Sequence, residues 1–274
     1  MIGAFVFLYG LVVGSFLNVC IHRLPRHESV VKPRSRCPQC SQPIAAYDNI
    51  PLVSYLLLRG RCRHCQARIS PLYFFVELAT GLLALFLYSV FGLTAAFAKA
   101  ATLGAALLVL TVTDWRERLL PDRVTFPGMA LGLVFSQIIP VEDGIGLLLT
   151  RLLGLDAIPV RLDSLFDSVL GALLGAGLLY LLGEVYFRLR GREGMGFGDV
   201  KMMAMVGFFL GLKLALLTIF LGATAGSVLG LLFIAASGKS SAYELPFGSF
   251  LGVAAMAAAV WGRPILQWYL GYFG

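Results

Sequence analysis

The sequence has few charged residues for its length, and this scarcity excludes an ordinary soluble domain. Only 14% of the 274 residues are charged, whereas 58% are hydrophobic, and the mean hydropathy is +0.84. A soluble domain has about one charged residue in four. A membrane-spanning helix needs about 20 mostly apolar residues, and several stretches approach that length. The sequence therefore predicts an all-α polytopic membrane protein surrounded by lipid, with about eight transmembrane helices.

The first apolar stretch lacks the basic residues that open a secretory signal, because no basic side chain precedes Arg23. We therefore expect residues 1–22 to remain as a first transmembrane helix. The other spans are expected at 72–91, 94–113, 124–140, 168–187, two helices within 200–236 divided near 211–213, and 247–261. Residues 141–167 carry a net negative charge, which predicts a loop outside the membrane.

The excess of positive charge lies in one large polar loop, residues 23–70. Its acidic residues are Glu28 and Asp48, and the rest of the chain is balanced in charge. The basic residues of the loop are Arg23, Arg26, Lys32, Arg34, Arg36, Arg59, Arg61, Arg63 and Arg68. Positive loops remain in the cytoplasm, so we predict a cytoplasmic loop. Nucleic-acid binding is the alternative explanation of the charge, but beside so many spans we predict no nucleic-acid partner.

Four cysteines in this loop have the spacing of a metal site. Cys37 and Cys40 form one Cys-x-x-Cys pair, and Cys62 and Cys65 form a second. Two such pairs predict a zinc-ribbon-like domain over residues 23–70, in which four thiolates hold a structural Zn²⁺. A disulfide framework and a rubredoxin-like iron site are the alternatives. A structural zinc performs no chemistry, so any catalytic groups must lie elsewhere.

Two aspartates stand at the predicted cytoplasmic ends of apolar helices. Asp114 follows one long apolar run, and Asp199 follows two glycines, Gly196 and Gly198, that would let another chain segment approach closely. Two facing carboxylates can share one proton and hydrolyse a peptide as in aspartic proteases. The alternative is structural, with Asp199 as a helix N-cap and Asp114 paired with a nearby arginine. Asp122 could substitute for Asp114 or cap a helix, and the role of Glu77 stays open.

Taken together, these motifs resemble the type IV prepilin peptidase family. The resemblance rests on Gly14-Ser-Phe-Leu-Asn-Val19 with Arg23-Leu-Pro25, both cysteine pairs, Tyr47-Asp-Asn-Ile-Pro51, Leu58-Arg-Gly-Arg-Cys62, Thr113-Asp114, Leu120-Pro-Asp122, Gly196-Phe-Gly-Asp-Val-Lys201 and Pro246-Phe-Gly248. Residues 70–77 depart from the pattern, where the family more often has a basic residue followed by Tyr-Pro. The resemblance implies Asp114 and Asp199 as the catalytic pair, with Gly196, Gly198 and Lys201 in the surrounding motif.

The resemblance also implies what the protein acts on and where. It indicates a bacterial inner-membrane enzyme, with a peptidase core over residues 71–274, that removes the basic leader of prepilins and pseudopilins. It then methylates the new N-terminus with S-adenosylmethionine. No Rossmann fingerprint marks the methyl-donor site, and we expect it in the loop between the cysteine pairs. We expect Glu117, Asp122 or Glu193 to receive the leader. A peptidase without methyltransferase activity and a nonenzymatic transporter are the alternatives.

Overall fold

The computed structural model describes residues 1–141, 143–152, 159–191, 195–237 and 246–273. These residues form α-helices and short 3-10 turns, with only isolated bridges of β type. The all-α prediction is therefore confirmed. The helices are α1 (Ile2–Arg23), α2 (Val53–Leu57), α3 (Pro71–Phe91), α4 (Ala95–Glu117), α5 (Asp122–Ile138), α6 (Ile145–Leu152), α7 (Val160–Arg190), α8 (Phe197–Leu210), α9 (Leu212–Ser237) and α10 (Phe247–Phe273).

Six of the described helices are long and apolar enough to cross a membrane, which supports a multi-pass membrane protein. They are α1, α3, α4, α7, α9 and α10. Helices α5 and α8 have 17 and 14 residues. At 1.5 Å per residue both are shorter than a hydrocarbon core of about 30 Å. The prediction of eight spans is thus not confirmed, because two of the expected helices are short.

The chain forms two compact units, residues 1–101 and 102–274. In the first unit, α1 and α3 pack closely because two glycines of α1 carry no side chain. A Cβ atom built at Gly10 would lie 2.8 Å from the Ala84 Cβ atom, and one built at Gly14 would lie 2.8 Å from the Glu77 Cα atom. Such close helix packing at small residues is common within membranes.

The second unit is built around α8. The side chains of Met202, Met203, Met205, Val206 and Phe209 are fully buried, and α8 contacts α5, α7, α9 and α10. A helix that is apolar on all sides is a buried helix. The expected division of residues 200–236 is confirmed: α8 ends at Leu210, and α9 begins after Gly211, whose φ of +83° favours glycine.

The predicted extent of the loop over residues 141–167 was wrong, because α7 begins at Val160 and α6 precedes it, whereas its placement outside the membrane stays a prediction. Two of the acidic side chains counted as loop charge, Asp143 and Asp167, accept hydrogen bonds from backbone N–H groups. Asp167 is fully buried. Its Oδ2 atom accepts hydrogen bonds from the N–H groups of Asp143 and Gly144, and its Oδ1 atom accepts from Ile145 and Gly146. The carboxylate therefore caps the first turn of α6 from the neighbouring helix.

Three further helix boundaries differ from the prediction. Helix α4 continues past Asp114 to Glu117, and α5 begins at Asp122 and contains Pro127. Helix α10 does not end near Trp261 but continues through Pro264 to Phe273. Boundaries of this kind are hard to read from sequence, since apolar runs continue as helix through polar residues that find partners in the fold.

Candidate active site and metal centre

Asp114 and Asp199 lie on different helices of the second unit and are both nearly inaccessible. Asp114 is in the last turns of α4, Asp199 is in the first turn of α8, and each is 6% exposed. The Asp114 Oδ2 atom accepts a hydrogen bond from the Ser249 N–H group at 2.6 Å, and the Ser249 hydroxyl oxygen lies 2.9 Å from the same atom. The hydroxyl also lies 3.0 Å from the Thr111 carbonyl oxygen, so it can donate to either acceptor.

The space between the two carboxylates is closed on one side by Gly248, at the start of α10. A Cβ atom built at Gly248 would lie 2.7 Å from Asp199 Oδ1 and 3.1 Å from Asp114 Oδ2. The same atom would lie 3.1 Å from the Leu120 Cδ1 atom. Both carboxylates therefore reach the same point in space, and glycine is the only residue that leaves this point free.

The N-cap interpretation of Asp199 was wrong. The N-cap position of α8 is Gly196, whose ψ of 140° is extended, and Asp199 is the third helical residue. The Asp199 Oδ1 atom is buried and has no hydrogen-bond partner among the described residues. A buried carboxylate oxygen without a partner is costly, so this atom is available to a bound water or substrate. Gly198 allows the close approach of Leu120, whose Cβ atom would lie 3.0 Å from a built Cβ.

Lys201 and Asp122 form an ion pair beside this site. The Lys201 Nζ atom lies 2.7 Å and 2.9 Å from the two Asp122 carboxylate oxygens, and it also faces the rings of Phe126 and Phe197. Pro121 occupies the N-cap position of α5, so Asp122 does not cap that helix. The pair instead links the first turn of α5 to the first turns of α8. Asp122 itself does not join Asp114 at Gly248.

The four loop cysteines lie on two turns of equal geometry in the first unit. The Cys37 N–H group donates to the Gln42 carbonyl oxygen, and the Cys62 N–H group donates to the Ala67 carbonyl oxygen, each at 2.9 Å. The residue after each pair, Ser41 and Gln66, has a φ of +58°. Each Cys-x-x-Cys segment thus turns back on itself as a zinc knuckle does.

The sulfur atoms of these cysteines lie close enough together to bind one metal ion. All four Sγ atoms lie within 4.8 Å of one another, and those of Cys37 and Cys65 are 3.7 Å apart. Four sulfurs at about 2.3 Å from one zinc ion would be separated by roughly 3.8 Å. All five cysteines are free thiols, which favours a metal site over the disulfide alternative. The Cys40 N–H group lowers the pKa of the Cys37 thiol to about 7, whereas the pKa of the Cys65 thiol is raised to about 11, so the thiolate is favoured at Cys37 alone of these two.

Further contacts hold the rest of the loop in place. Arg63 and Asp48 form an ion pair with an N–O distance of 2.6 Å, and the Arg63 hydrogen bond lowers the pKa of Asp48.

The role of Glu77, which the sequence left open, is structural. Its Oε2 atom accepts the N–H group of Leu52 at 2.9 Å, where Leu52 has a positive φ of +59°. Glu77 therefore fastens the loop onto α3.

Comparison with known proteins gives the same division of the chain. Residues 8–91 match the model of the Bacterial Peptidase A24 N-terminal domain, and residues 101–231 match that of the Type IV leader peptidase family. A prepilin leader peptidase/N-methyltransferase of Aeromonas hydrophila is 36% identical, over 98% of this chain and 93% of its own length. The chain belongs to the type IV leader peptidase family.

Other members of this family are similar over most of the chain. The prepilin leader peptidase/N-methyltransferase of Pseudomonas aeruginosa is 34% identical over 97% of this chain and 93% of its own length. That of Myxococcus xanthus is 36% identical over 88% of this chain and 65% of its own length. No solved structure matches the chain.

Two residues at this site, Gly248 and Ser249, were not among the predicted site residues, although Gly248 belongs to a motif that the sequence displays. Gly248 ends the Pro246-Phe-Gly248 segment, one of the motifs that carry the family resemblance. Its position between two carboxylates depends on a contact between α4, α8 and α10 that no local pattern encodes. Ser249 carries no signal of its own, since one serine at the start of an apolar helix is common.

Proposed function

We propose that this protein is a membrane aspartic endopeptidase that removes the leader of prepilins and pseudopilins and then methylates the new N-terminus. The observation that carries the peptidase is the convergence of Asp114 and Asp199 on the free space at Gly248. The relatives named prepilin leader peptidase/N-methyltransferase support both the substrate class and the second activity.

In this proposal, Asp114 and Asp199 share one proton and act as a unit. The ionised carboxylate takes a proton from a water molecule while the protonated one donates its proton to the scissile carbonyl oxygen. The water oxygen bonds to the carbonyl carbon. The C–N bond then breaks, and the departing nitrogen receives a proton from the pair. The Ser249 N–H group keeps one carboxylate oxygen in position, and Gly248 leaves room for the substrate backbone.

The same proposal gives the orientation in the membrane. With the basic loop, residues 23–70, in the cytoplasm, Asp114 and Asp199 stand at helix ends on the cytoplasmic face. The basic leader of a single-span substrate would arrive there. Asp122 is held by Lys201, so a basic leader residue that binds Asp122 must compete with that lysine. Glu117 is the other described acidic residue of the three expected to receive the leader, and Glu193 lies outside the described residues.

The cysteine loop would serve the second activity. Cys37, Cys40, Cys62 and Cys65 fit a structural Zn²⁺ that fixes the loop without taking part in chemistry. S-adenosylmethionine would supply the methyl group. The neutral N-terminal amine of the cleaved substrate would take this methyl group and lose a proton, and the electron pair of the broken C–S bond would stay on sulfur.

The experiment that tests this proposal is incubation of the purified full-length protein with a prepilin, with and without S-adenosylmethionine. Mass spectrometry should show loss of the leader in both reactions and a further methyl group only with the donor. Cleavage without methylation would leave the peptidase-only alternative. The absence of both cleavage and methylation would favour the transporter. Asp114→Asn and Asp199→Asn should each abolish cleavage, whereas Glu184→Gln, in an exposed ion pair with Arg188, should cleave normally. Cleavage by either aspartate variant would contradict the assignment.

A further inference from the structure

The first unit contains an open cavity that the peptidase site does not use. It has a volume of about 310 Å³ and lies between the last two turns of α1, at Val19 and Arg23, and two segments of the loop, residues 30–35 and 44–49. This volume is at the lower end of the range found for small-molecule sites, about 300–1,000 Å³. The cavity is therefore large enough for a nucleoside-sized molecule.

Sequence motifs without a place in the peptidase site meet at this cavity. Val19 and Arg23 belong to the motifs at 14–19 and 23–25, and Asn49 belongs to the motif at 47–51. The proposed catalytic pair belongs to the other unit, residues 102–274. Residues from three of the motifs that carry the family resemblance therefore line one cavity in the first unit.

One side of the cavity can bind a carboxylate. The Arg34 guanidinium has no hydrogen-bond or ion-pair partner in the part of the chain that the structure describes. Arg23 is already engaged, since it donates to the Ser29 carbonyl oxygen at 2.9 Å and to that of Arg34 at 3.5 Å. Arg23 therefore fixes the backbone around Arg34. The Arg34 guanidinium itself is left unpaired by the residues that the structure describes and can bind a carboxylate through two parallel hydrogen bonds.

The rest of the lining suits a purine nucleoside. Val30, Val31 and Ile44 provide an apolar side on which an aromatic base can lie, and Ser35 and Asn49 provide hydrogen-bonding groups for ribose hydroxyls and the base edge. No acidic residue lines the cavity. A ligand that carries both a carboxylate and a positive sulfonium would therefore place the carboxylate at Arg34 and the sulfonium toward the open side, where an amine can reach the methyl group.

We propose that this cavity, between the end of α1 and the loop residues 30–35 and 44–49, is the binding site of S-adenosylmethionine, with Arg34 as the ligand of its carboxylate. The inference rests on the proposed methyltransferase function. The cavity is lined both by residues 30–35, which precede the first cysteine pair, and by residues 44–49, which lie between the two pairs. The expected site in the loop between the pairs is thus extended toward α1. An anionic lipid headgroup is the competing occupant, because it could also pair with Arg34.

The test uses the full-length protein in detergent and measures binding directly. Radiolabelled S-adenosylmethionine is cross-linked by ultraviolet light, the labelled peptide is mapped, and the Kd is measured with S-adenosylhomocysteine by calorimetry. We expect the label within residues 19–49. Arg34→Ala should weaken binding at least tenfold, and Ala46→Trp should weaken it as much by filling the cavity. Lys32→Ala removes a cation from the same segment outside the lining and should change the Kd less than twofold.

The outcomes separate this inference from the proposed function. Each variant should keep its zinc and its resistance to trypsin, which shows that the loop is folded, and prepilin cleavage on the same preparations should be unchanged because the proposed catalytic pair lies in the second unit. If the wild type methylates but the label maps elsewhere, or both cavity variants bind normally, the site is wrong while the function stands. A wild-type protein that neither binds the donor nor methylates overturns both. Displacement of the label by phosphatidylglycerol vesicles, but not by phosphatidylcholine vesicles, would identify lipid as the occupant and overturn the site.

Discussion

At the scale of single residues, the site depends most on Gly248, which has no side chain to fill the space between the two carboxylates. Gly248→Val would place carbon atoms within 2.7 Å of Asp199 Oδ1 and 3.1 Å of Asp114 Oδ2. The carboxylates would have to move apart, and displacements of about 1 Å in an active site cost roughly 100-fold in rate. We expect a fall in kcat of that size in a prepilin cleavage assay.

The matched control for this variant is Gly177→Ala, in α7 of the same unit, where no atom lies within 4 Å of the built Cβ. It should cleave normally and unfold at an equal or higher temperature, because alanine favours helix over glycine by about 1 kcal/mol. Normal cleavage by Gly248→Val would show that the space beside Gly248 is not the reaction site.

The residue scale also shows what the sequence could predict. Asp114 and Asp199 were found because an ionisable residue at the end of an apolar run is unusual. The alternatives left open for Asp199 could not be resolved from the sequence. Whether Asp199 is the N-cap or the third residue of the helix depends on the ψ angle of Gly196, which many sequences could adopt.

At the scale of elements, the first turns of α8 are held by contacts outside the helix. The Lys201–Asp122 ion pair joins α8 to α5. We expect Lys201→Met to lower kcat up to about fivefold with little change in KM, in line with the 0.2–1 kcal/mol of a partly exposed pair. Steady-state kinetics would measure this. The double variant Asp122→Lys with Lys201→Asp should recover part of the loss.

The exposed pair of Arg188 with Glu184 within α7 is the control, so Arg188→Met should leave both constants unchanged. If Lys201→Met also behaved as the wild type, the ion pair would have no part in positioning α8.

A second prediction concerns the connection between α6 and α7. Asp167→Asn removes one acceptor oxygen from a buried carboxylate that binds four N–H groups, those of Asp143, Gly144, Ile145 and Gly146. Two of these groups would lose their acceptor, and each such loss costs about 1–3 kcal/mol. We expect the midpoint of thermal unfolding to fall by several degrees in a detergent-based melting assay.

Asp163→Asn is the comparison for that variant, because the Asp163 Oδ1 atom has no hydrogen-bond partner among the described residues. Its effect on unfolding should be smaller than that of Asp167→Asn. Equal effects would contradict the capping role of Asp167. The same contacts explain the wrong loop prediction, since a count of charges cannot distinguish a solvated aspartate from one that binds backbone.

At the scale of the whole molecule, the two compact units coincide with the two family models. Residues 8–91 and 101–231 match separate models, and the boundary between the units follows Ala101. The boundaries predicted from the sequence lie at residues 22 and 70 instead, and that division stays a prediction. Composition marks the polar loop clearly, but it does not reveal that α1, the loop and α3 pack together.

The separation of the units leads to a prediction about metal removal. The purified protein should contain about one zinc ion per chain by elemental analysis. A strong chelator, or Cys37→Ser, should remove it and expose Arg59, Arg61 and Arg63 to trypsin, because a structural zinc site holds its fold only with metal. Methylation should be lost, whereas cleavage should persist because Asp114, Asp199 and Gly248 all lie in the second unit.

Cys20→Ser is the control for this experiment, since Cys20 lies in α1 apart from the four-sulfur cluster. It should retain its metal and its resistance to trypsin. A protein that keeps its resistance after complete metal removal would show that the loop folds without the ion.

The equal geometry of the two cysteine turns has a kinetic consequence. Each turn can form from its own few residues, with Ser41 or Gln66 in the same conformation, but each supplies only half of a tetrahedral shell. To complete the shell, the two turns of the chain must bind the same ion, so the rate of this step should rise with the concentration of free metal. Helices α1 and α3 form by unimolecular steps that have no such dependence. The supply of metal in the cell, rather than the insertion of helices, would then determine when the loop of each new chain is complete.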